Sequence, residues 1–498
     1  MNDSVHTPQH FAALFEPRGV VVAGASTHPG KFGFVSLHNI LASGYAGKVY
    51  ATNRDGASVL GIECLTSIDD LPDGDVDLMF VCTPAAANPG LLRSAAAKGV
   101  KAAFLTTAGY GEAGDEGRKA EQELVALCEE LGILLVGPNG QGVVSTPARL
   151  CAQIVAPYPP AGGIGVASQS GNFVSSFLNW SCATGVGISR AVSAGNASAT
   201  TVADLLDFYS HDPATTVALA YMEGIEDGRS VAQTLGRVAA EMPTVIMKGG
   251  ATAGGARAAA SHTGSLATDD RTFEGMCRQS GVTRAGTVEE AFEAAATFAT
   301  QPSPRGNRVV VMTTAGGWGV VTADAITRHR DLALVDLPDD LRAEIDKLLP
   351  PRWSRSNPVD LAGGETRDTI PEVLGLIAAH DGVDAIIHLG LGIQSNQARM
   401  LREGGYHGPE GDDTWGIQRI VAYHERQDAR FASAAAEISD ATGKPILTAT
   451  ELAVAFPDNA GPAAVRSAGR LCYPSADRAV TALGHLVKRS RFLQRRAP

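Results

Sequence analysis

Gly163-Ile-Gly-Val-Ala-Ser-Gln-Ser-Gly171 is the stretch that decides the fold. An uncharged apolar run ends in a turn of small residues, and Phe173, Val174, Phe177 and Leu178 follow at helical spacing. Short apolar runs rich in β-branched residues and bounded by glycine mark strands buried on both faces of a parallel sheet. The phrase recurs as Gly19-Val-Val-Val-Ala-Gly-Ala-Ser26 and as Arg308-Val-Val-Val-Met-Thr-Thr-Ala-Gly-Gly317.

Strand and helix patterns alternate after each copy. Lys48 to Thr52, Val76 to Cys82, Ala102 to Thr107 and Ile133 to Gly137 read as strands after the first, with a helix from Glu116 to Leu131. Val217 to Met222 and Thr244 to Lys248 follow the second copy; Asp384 to Gly390 and Pro445 to Thr450 follow the third. The pattern predicts an α/β protein of three doubly wound parallel-sheet domains. Pro157-Tyr-Pro-Pro-Ala-Gly-Gly163 and Gln301-Pro-Ser-Pro-Arg-Gly306 break it. The expected domains are therefore residues 1–150, 151–302 and 303–498.

Composition narrows the function. At 498 residues, 44% hydrophobic and 19% charged, the chain reads as an ordinary globular protein. A net charge of -12 argues against nucleic-acid binding, because neutralising phosphates needs a basic face. Seven scattered cysteines without a CxxC pair fit a reducing, cytoplasmic setting better than a disulfide framework. No signal peptide or membrane span is legible, and no metal-binding cluster is expected.

Four loops carry candidate chemistry. Gly24-Ala-Ser-Thr-His-Pro-Gly-Lys-Phe-Gly33 is not GxGxxG, which makes a dehydrogenase the weakest reading. It still sets Gly24, Ser26 and Lys31 beyond the end of a strand, where a phosphorylated ligand binds. Ser170 is expected to cap the helix after it, leaving the N–H groups near Gly171 and Asn172 to hold an anion; an ordinary serine cap fits equally well. Glu223 ends a strand and can accept the proton on one imidazole nitrogen, fixing the tautomer, although a solvated loop acid has the same signature. Ala258-Ala-Ala-Ser-His-Thr-Gly-Ser-Leu266 places His262 among small residues, hydroxyls and a glycine, with room for a polyanion. A neutral imidazole is one of the few side chains able to attack phosphorus near neutral pH and release it again. Thr268-Asp-Asp270 is expected to cap the next helix, whose apolar face is Phe273, Met276 and Cys277, leaving His262 on a loop.

Ser261-His-Thr-Gly-Ser-Leu-Ala267, Ser168-Gln-Ser-Gly171, Tyr221-Met-Glu-Gly224, Gly137-Pro-Asn139 and Asn357-Pro-Val-Asp360 occur together. With them the chain resembles the NDP-forming acyl-CoA synthetase family, relatives of the succinyl-CoA synthetase α subunit, from Phe15 to Val480. The resemblance implies a Rossmann-like CoA-binding domain followed by two flavodoxin-like domains. It implies an acid–CoA ligase that interconverts acyl-CoA, NDP and phosphate with carboxylic acid, CoA and NTP, through an acyl phosphate and a phosphohistidine. His262 would carry the phosphoryl group, Glu223 would orient it, and Ser170, Gly171, Asn139 and Gly264 would hold its oxygens. Gly24, Ser26, Lys31, Asn53, Thr83 and Pro84 would bind coenzyme A. ATP or ADP with Mg2+ would bind through an ATP-grasp β subunit on a separate chain, in a homo- or hetero-oligomer. The alternative is a non-enzymatic CoA- or acyl-CoA-binding regulatory module.

Three departures stand out. The family usually has cysteine where this chain has Gly140, followed by Gln141; it often reads Val-Asn-Pro-Lys where this chain has Thr52-Asn-Arg-Asp55; and Trp318 stands where a small residue or proline is usual.

Overall fold

The computed structural model describes residues 5–225, 227–263, 269–363, 368–404 and 415–496, with the backbone alone for 259–263. The chain divides into two compact units, residues 1–183 with 187–295 and residues 184–186 with 296–498.

The first unit holds two sheets. β1 (Gly19–Ala23), β2 (Lys48–Thr52), β3 (Leu78–Val81), β4 (Ala102–Leu105) and β5 (Leu134–Val136) pair in parallel in the order β2-β1-β3-β4-β5. A parallel bridge from Thr52 to Leu65 adds a vestigial strand outside β2, which completes the strand order of dinucleotide-binding sheets. β1, β3, β4 and β5 are buried along their whole length, as their uniformly apolar sequences require.

The second sheet contains β6 (Gly142–Ser145), β7 (Leu150–Gln153), β8 (Ala161–Ser168), β9 (Ile188–Ser193), β10 (Val217–Met222), β11 (Thr244–Lys248) and β12 (Thr283–Ala285). Its order is β12-β11-β10-β8-β9-β6-β7. The parallel part is a flavodoxin-like sheet, and the antiparallel hairpin β6–β7 extends it beyond β9. Residue 150, the expected domain limit, lies inside that hairpin, which pairs only with the second sheet.

A buried ion pair fastens the two sheets. Arg190 on β9 donates to Asp212 at 3.0 Å, to Glu16 at 2.5 Å and to the Ser145 hydroxyl. Burial pushes the Asp212 carboxyl up, but hydrogen bonds from Arg190 and Thr215 outweigh it and hold the group below its usual range.

The second unit holds β13 (Arg308–Thr313), β14 (Ala333–Leu334), β15 (Val359–Asp360), β16 (Ala385–Leu389), β17 (Ile446–Ala449) and β18 (Cys472–Tyr473). These are all parallel; β14 and β15 share one side of β13, and β16, β17 and β18 follow on the other. This is again a flavodoxin-like order. Among the described residues no helix is long and apolar enough to cross a membrane.

Candidate functional site

The first crevice lies at the carboxyl ends of β1, β2 and β3, where the strand order reverses. Gly24 leaves β1 with φ +87°, and a side chain there would strike Thr83 and the Cys82 carbonyl. Asn53 donates from Nδ2 to the Ala25 carbonyl at 2.8 Å, fastening the turn after β2 to the turn after β1. Ser26 Oγ accepts from the His28 N–H at 3.1 Å. Lys31 is exposed immediately before the helix Phe32–Ala42, and among the described residues it has no ion-pair partner. Gly33 lets that helix close on β1: a Cβ there would lie 2.1 Å from the Gly24 carbonyl oxygen. Thr83 donates to Asn88 at 2.9 Å, and Pro84 leads into the short turn Ala85–Ala87. The six expected CoA contacts therefore share one sheet edge. Cys82 lies just behind them, its thiol pushed up by burial to about 11 and so kept un-ionised.

The second crevice lies between the ends of β8 and β10. Ser168, the last residue of β8, accepts from the Ser170 N–H at 3.1 Å and donates to the Ser170 carbonyl at 2.6 Å. The hydroxyl that closes this turn belongs to Ser168, while Ser170 stands at the cap position with its carbonyl accepting from the Val174 N–H and without the expected side-chain cap bond. Among the described residues the Ser170 hydroxyl makes no hydrogen bond. The 14-residue helix Gly171–Thr184 starts here, and its first N–H groups and dipole favour an anion. Thr313 closes the turn after β13 in the same way, through the Ala315 N–H and carbonyl.

Gln169 joins the two strand ends. Its Oε1 accepts from the Glu223 N–H at 2.6 Å and from the Gly224 N–H at 3.3 Å. The Glu223 carboxylate accepts from the Tyr221 hydroxyl at 2.9 Å. Burial, reinforced by the Glu223 charge, pushes the Tyr221 phenol up, so it stays a donor. Lys248 ends β11 nearly buried, donating to the Gly249 carbonyl at 3.0 Å; burial draws its pKa down. The sequence reading did not anticipate Gln169 or Lys248, whose roles depend on neighbouring strands.

Asn139 adopts φ +61° and donates to Asn196 at 3.3 Å. Asn196 in turn donates to Glu112 at 2.6 Å and to Glu121 at 2.7 Å. Burial pushes the Glu112 carboxyl up, yet hydrogen bonds from Asn196 and the Gly109 N–H hold it below its usual range. Gly140 explains the missing cysteine: a Cβ there would lie 2.6 Å from both the Phe104 ring and the Ser193 carbonyl oxygen. Gln141 lies across Gly171, donating to Asn172 and accepting from Ser175, each at 3.3 Å.

His262 is not on a loop. Ala253–Thr263 forms a helix, because the run Ala256-Arg-Ala-Ala-Ala260 favours helix strongly enough to carry through Ser261 and His262. The backbone of His262 thus lies in the last turn of this helix. Its side chain and the whole of Gly264 fall outside the described residues. Cα atoms of the helix come within 8 Å of the turn Gly111–Ala113, which carries Glu112. The helix after it, Asp270–Ser280, is capped by Asp269, as the sequence implied, and ends at Gly281 with φ +77°.

Family models match this layout sheet by sheet. A CoA-binding domain matches residues 18–146, a succinyl-CoA ligase-like flavodoxin domain residues 161–298, and a ligase-CoA domain residues 309–392. The α subunit of acetate–CoA ligase (ADP-forming) I from Pyrococcus furiosus is 39% identical over 355 residues, 70% of this chain and 76% of that subunit. The chain belongs to the NDP-forming acyl-CoA synthetase family. It is an α-type ligase chain of that family. The corresponding ligase II subunit from the same organism is 36% identical over 374 residues, covering 75% of this chain and 81% of that one. A solved relative, the acetyl-coenzyme A synthetase 1 of Candidatus Korarchaeum cryptofilum in complex with phosphate and ADP, matches with a TM-score of 0.82 at 30% identity. That match covers the whole of both chains.

Proposed function

We propose that this α-type ligase chain binds CoA in the first crevice and activates a carboxylic acid through a phosphoryl group carried on His262. The supporting observation is the joint made by Gln169. It sets an anion-favouring helix N-terminus at Gly171 beside the Glu223 carboxylate, at the ends of adjacent strands.

In the nucleotide-forming direction, inorganic phosphate attacks the thioester carbonyl and the carbon–sulfur bond breaks, giving acyl phosphate and CoA. A His262 nitrogen then attacks phosphorus, the P–O bond to the acyl oxygen breaks, and the free acid leaves. Glu223 accepts the proton on the other ring nitrogen, so that the attacking nitrogen keeps its lone pair. Ser170 and Gly171, with Asn139 and Gly264, hold the phosphoryl oxygens. NDP finally attacks the phosphohistidine, yielding NTP and free imidazole. The Gly24–Gly33 contact, too close for side chains, keeps backbone at the wall where CoA would lie.

Among the described residues no group of three or more His, Cys, Asp or Glu side chains could hold a metal ion. We assign Mg2+ and nucleotide to an ATP-grasp β subunit. The Archaeoglobus fulgidus acetate–CoA ligase (ADP-forming) I matches this chain over 374 residues, 54% of that protein. We also assign the first sheet to CoA binding, the second sheet with its β6–β7 hairpin to phosphoryl transfer, and residues 303–498 to the second flavodoxin-like domain.

The test is to purify the chain with its copurifying partner and assay it against short-chain, aryl and dicarboxylic acids with ATP, Mg2+ and CoA. Thioester should form with one ADP and one phosphate per turnover. Release of AMP and pyrophosphate, or no thioester from a complete complex, would overturn the reading.

A further inference from the structure

The third sheet has a crevice of its own where its strand order reverses, between the ends of β13 and β16. A cavity of about 130 Å³ lies there, lined by Thr314, Ile370, His388, Leu391, Asp428 and Phe431 among others. Its polar equipment is unlike that of the crevices in the first unit. His388 is 1% exposed, and among the described residues its ring makes no hydrogen bond, with Nδ1 orphaned and buried. Burial pulls its pKa down to about 4, so the imidazole is neutral near pH 7 and offers one donor and one acceptor.

Asp428 is 2% exposed and reaches the cavity from the long helix Ile417–Thr442. Its Oδ2 accepts from the Ser395 N–H at 2.6 Å. The helix Ile393–Glu403, which starts at this crevice, therefore has its anion-seeking end occupied by the protein's own carboxylate. Burial pushes the Asp428 carboxyl up, so another hydrogen-bond donor would relieve it. A ligand's carboxylate or phosphate would meet repulsion here. An orphaned buried imidazole is destabilising, and a ligand's polar group can recover that loss.

We propose that this cavity binds the hydroxyl-bearing end of a short aliphatic molecule, its carbons against Ile370, Leu391 and Phe431 and its hydroxyl between His388 and Asp428. Two sources share that chemistry: the acyl tail of a hydroxy acid used as substrate, and a separate small effector. The binding claim stands whether or not the ligase reading does.

The probes are 4-hydroxybutyrate and butyrate, titrated into the full chain by calorimetry, with the His388 ring followed by NMR. Wild type should bind the hydroxy acid about tenfold more tightly, the value of roughly one hydrogen bond. The His388 ring resonances should shift with the hydroxy acid and not with butyrate. In His388→Phe and Asp428→Asn the preference should collapse towards unity. Equal affinities, no binding of either probe, or an unmoved His388 resonance would overturn the proposal, and the resonance decides it even where a variant misfolds. Turnover separates the sources. A substrate raises kcat/KM for the hydroxy acid over butyrate, whereas an effector changes the rate with acetate and is not consumed.

Discussion

Glu223→Gln should lower kcat by about 10²- to 10⁴-fold, the range for losing a group that fixes a catalytic imidazole. The amide matches the carboxylate in shape and can still accept from the Tyr221 hydroxyl. The Gln169 contact is to the Glu223 backbone, so the strand junction should survive. What disappears is the negative charge that, in the proposed relay, accepts the imidazole proton and holds the tautomer. In the proposed relay Glu223 is a positioning residue, and its signature would differ from that of a structural defect. Single-turnover phosphorylation should slow as much as kcat, CoA affinity should stay within about twofold, and the acidic limb of the pH–rate profile should move. Full activity in the variant would remove Glu223 from the relay.

Gly33→Ala should cripple the first crevice, the proposed CoA site. Its Cβ would sit 2.1 Å from the Gly24 carbonyl oxygen and 2.9 Å from the Gly24 carbonyl carbon. These are backbone atoms, so no rotamer change relieves the clash. The helix Phe32–Ala42 must move away from β1, or the Gly24 turn must open. Overpacking of this kind costs about 1–3 kcal/mol, to be read as a lower urea midpoint at constant slope. Because Gly24 and Ala25 both donate to the Thr52 carbonyl, the distortion should spread to Asn53. CoA affinity, measured by calorimetry, should fall at least about tenfold for each 1.4 kcal/mol of lost contact. Unchanged CoA binding in a destabilised variant would mean that CoA does not touch this turn.

The sequence was most legible where one strand meets one turn. Lys48 to Thr52 and Thr244 to Lys248 form strands with the bounds their patterns suggested; the second is buried along its whole length, the first only at Ala51 and Thr52. The glycines after β1 and β8, and Glu223 after β10, declare themselves because the turn needs them or because a carboxylate ends an apolar strand. Features set by distant partners were hidden. The β6–β7 hairpin gave no alternation to detect, since both strands are buried throughout. His262 was expected on a loop because its neighbours are small and polar, but the alanines before it extend the helix. His388 lies in Ala385-Ile-Ile-His-Leu389, which reads as plain core. Only the arrival of Asp428, 40 residues later in the sequence, gives it a cavity to face.

Incubating the complete enzyme with γ-labelled ATP and Mg2+, then mapping the label, tests the phosphoryl-carrier claim most directly. One acid-labile, base-stable phosphate per chain should appear on the peptide containing His262, vanish in His262→Asn, and discharge when acid and CoA are added. Acid-stable label at another residue, or undiminished label in His262→Asn, would contradict the relay.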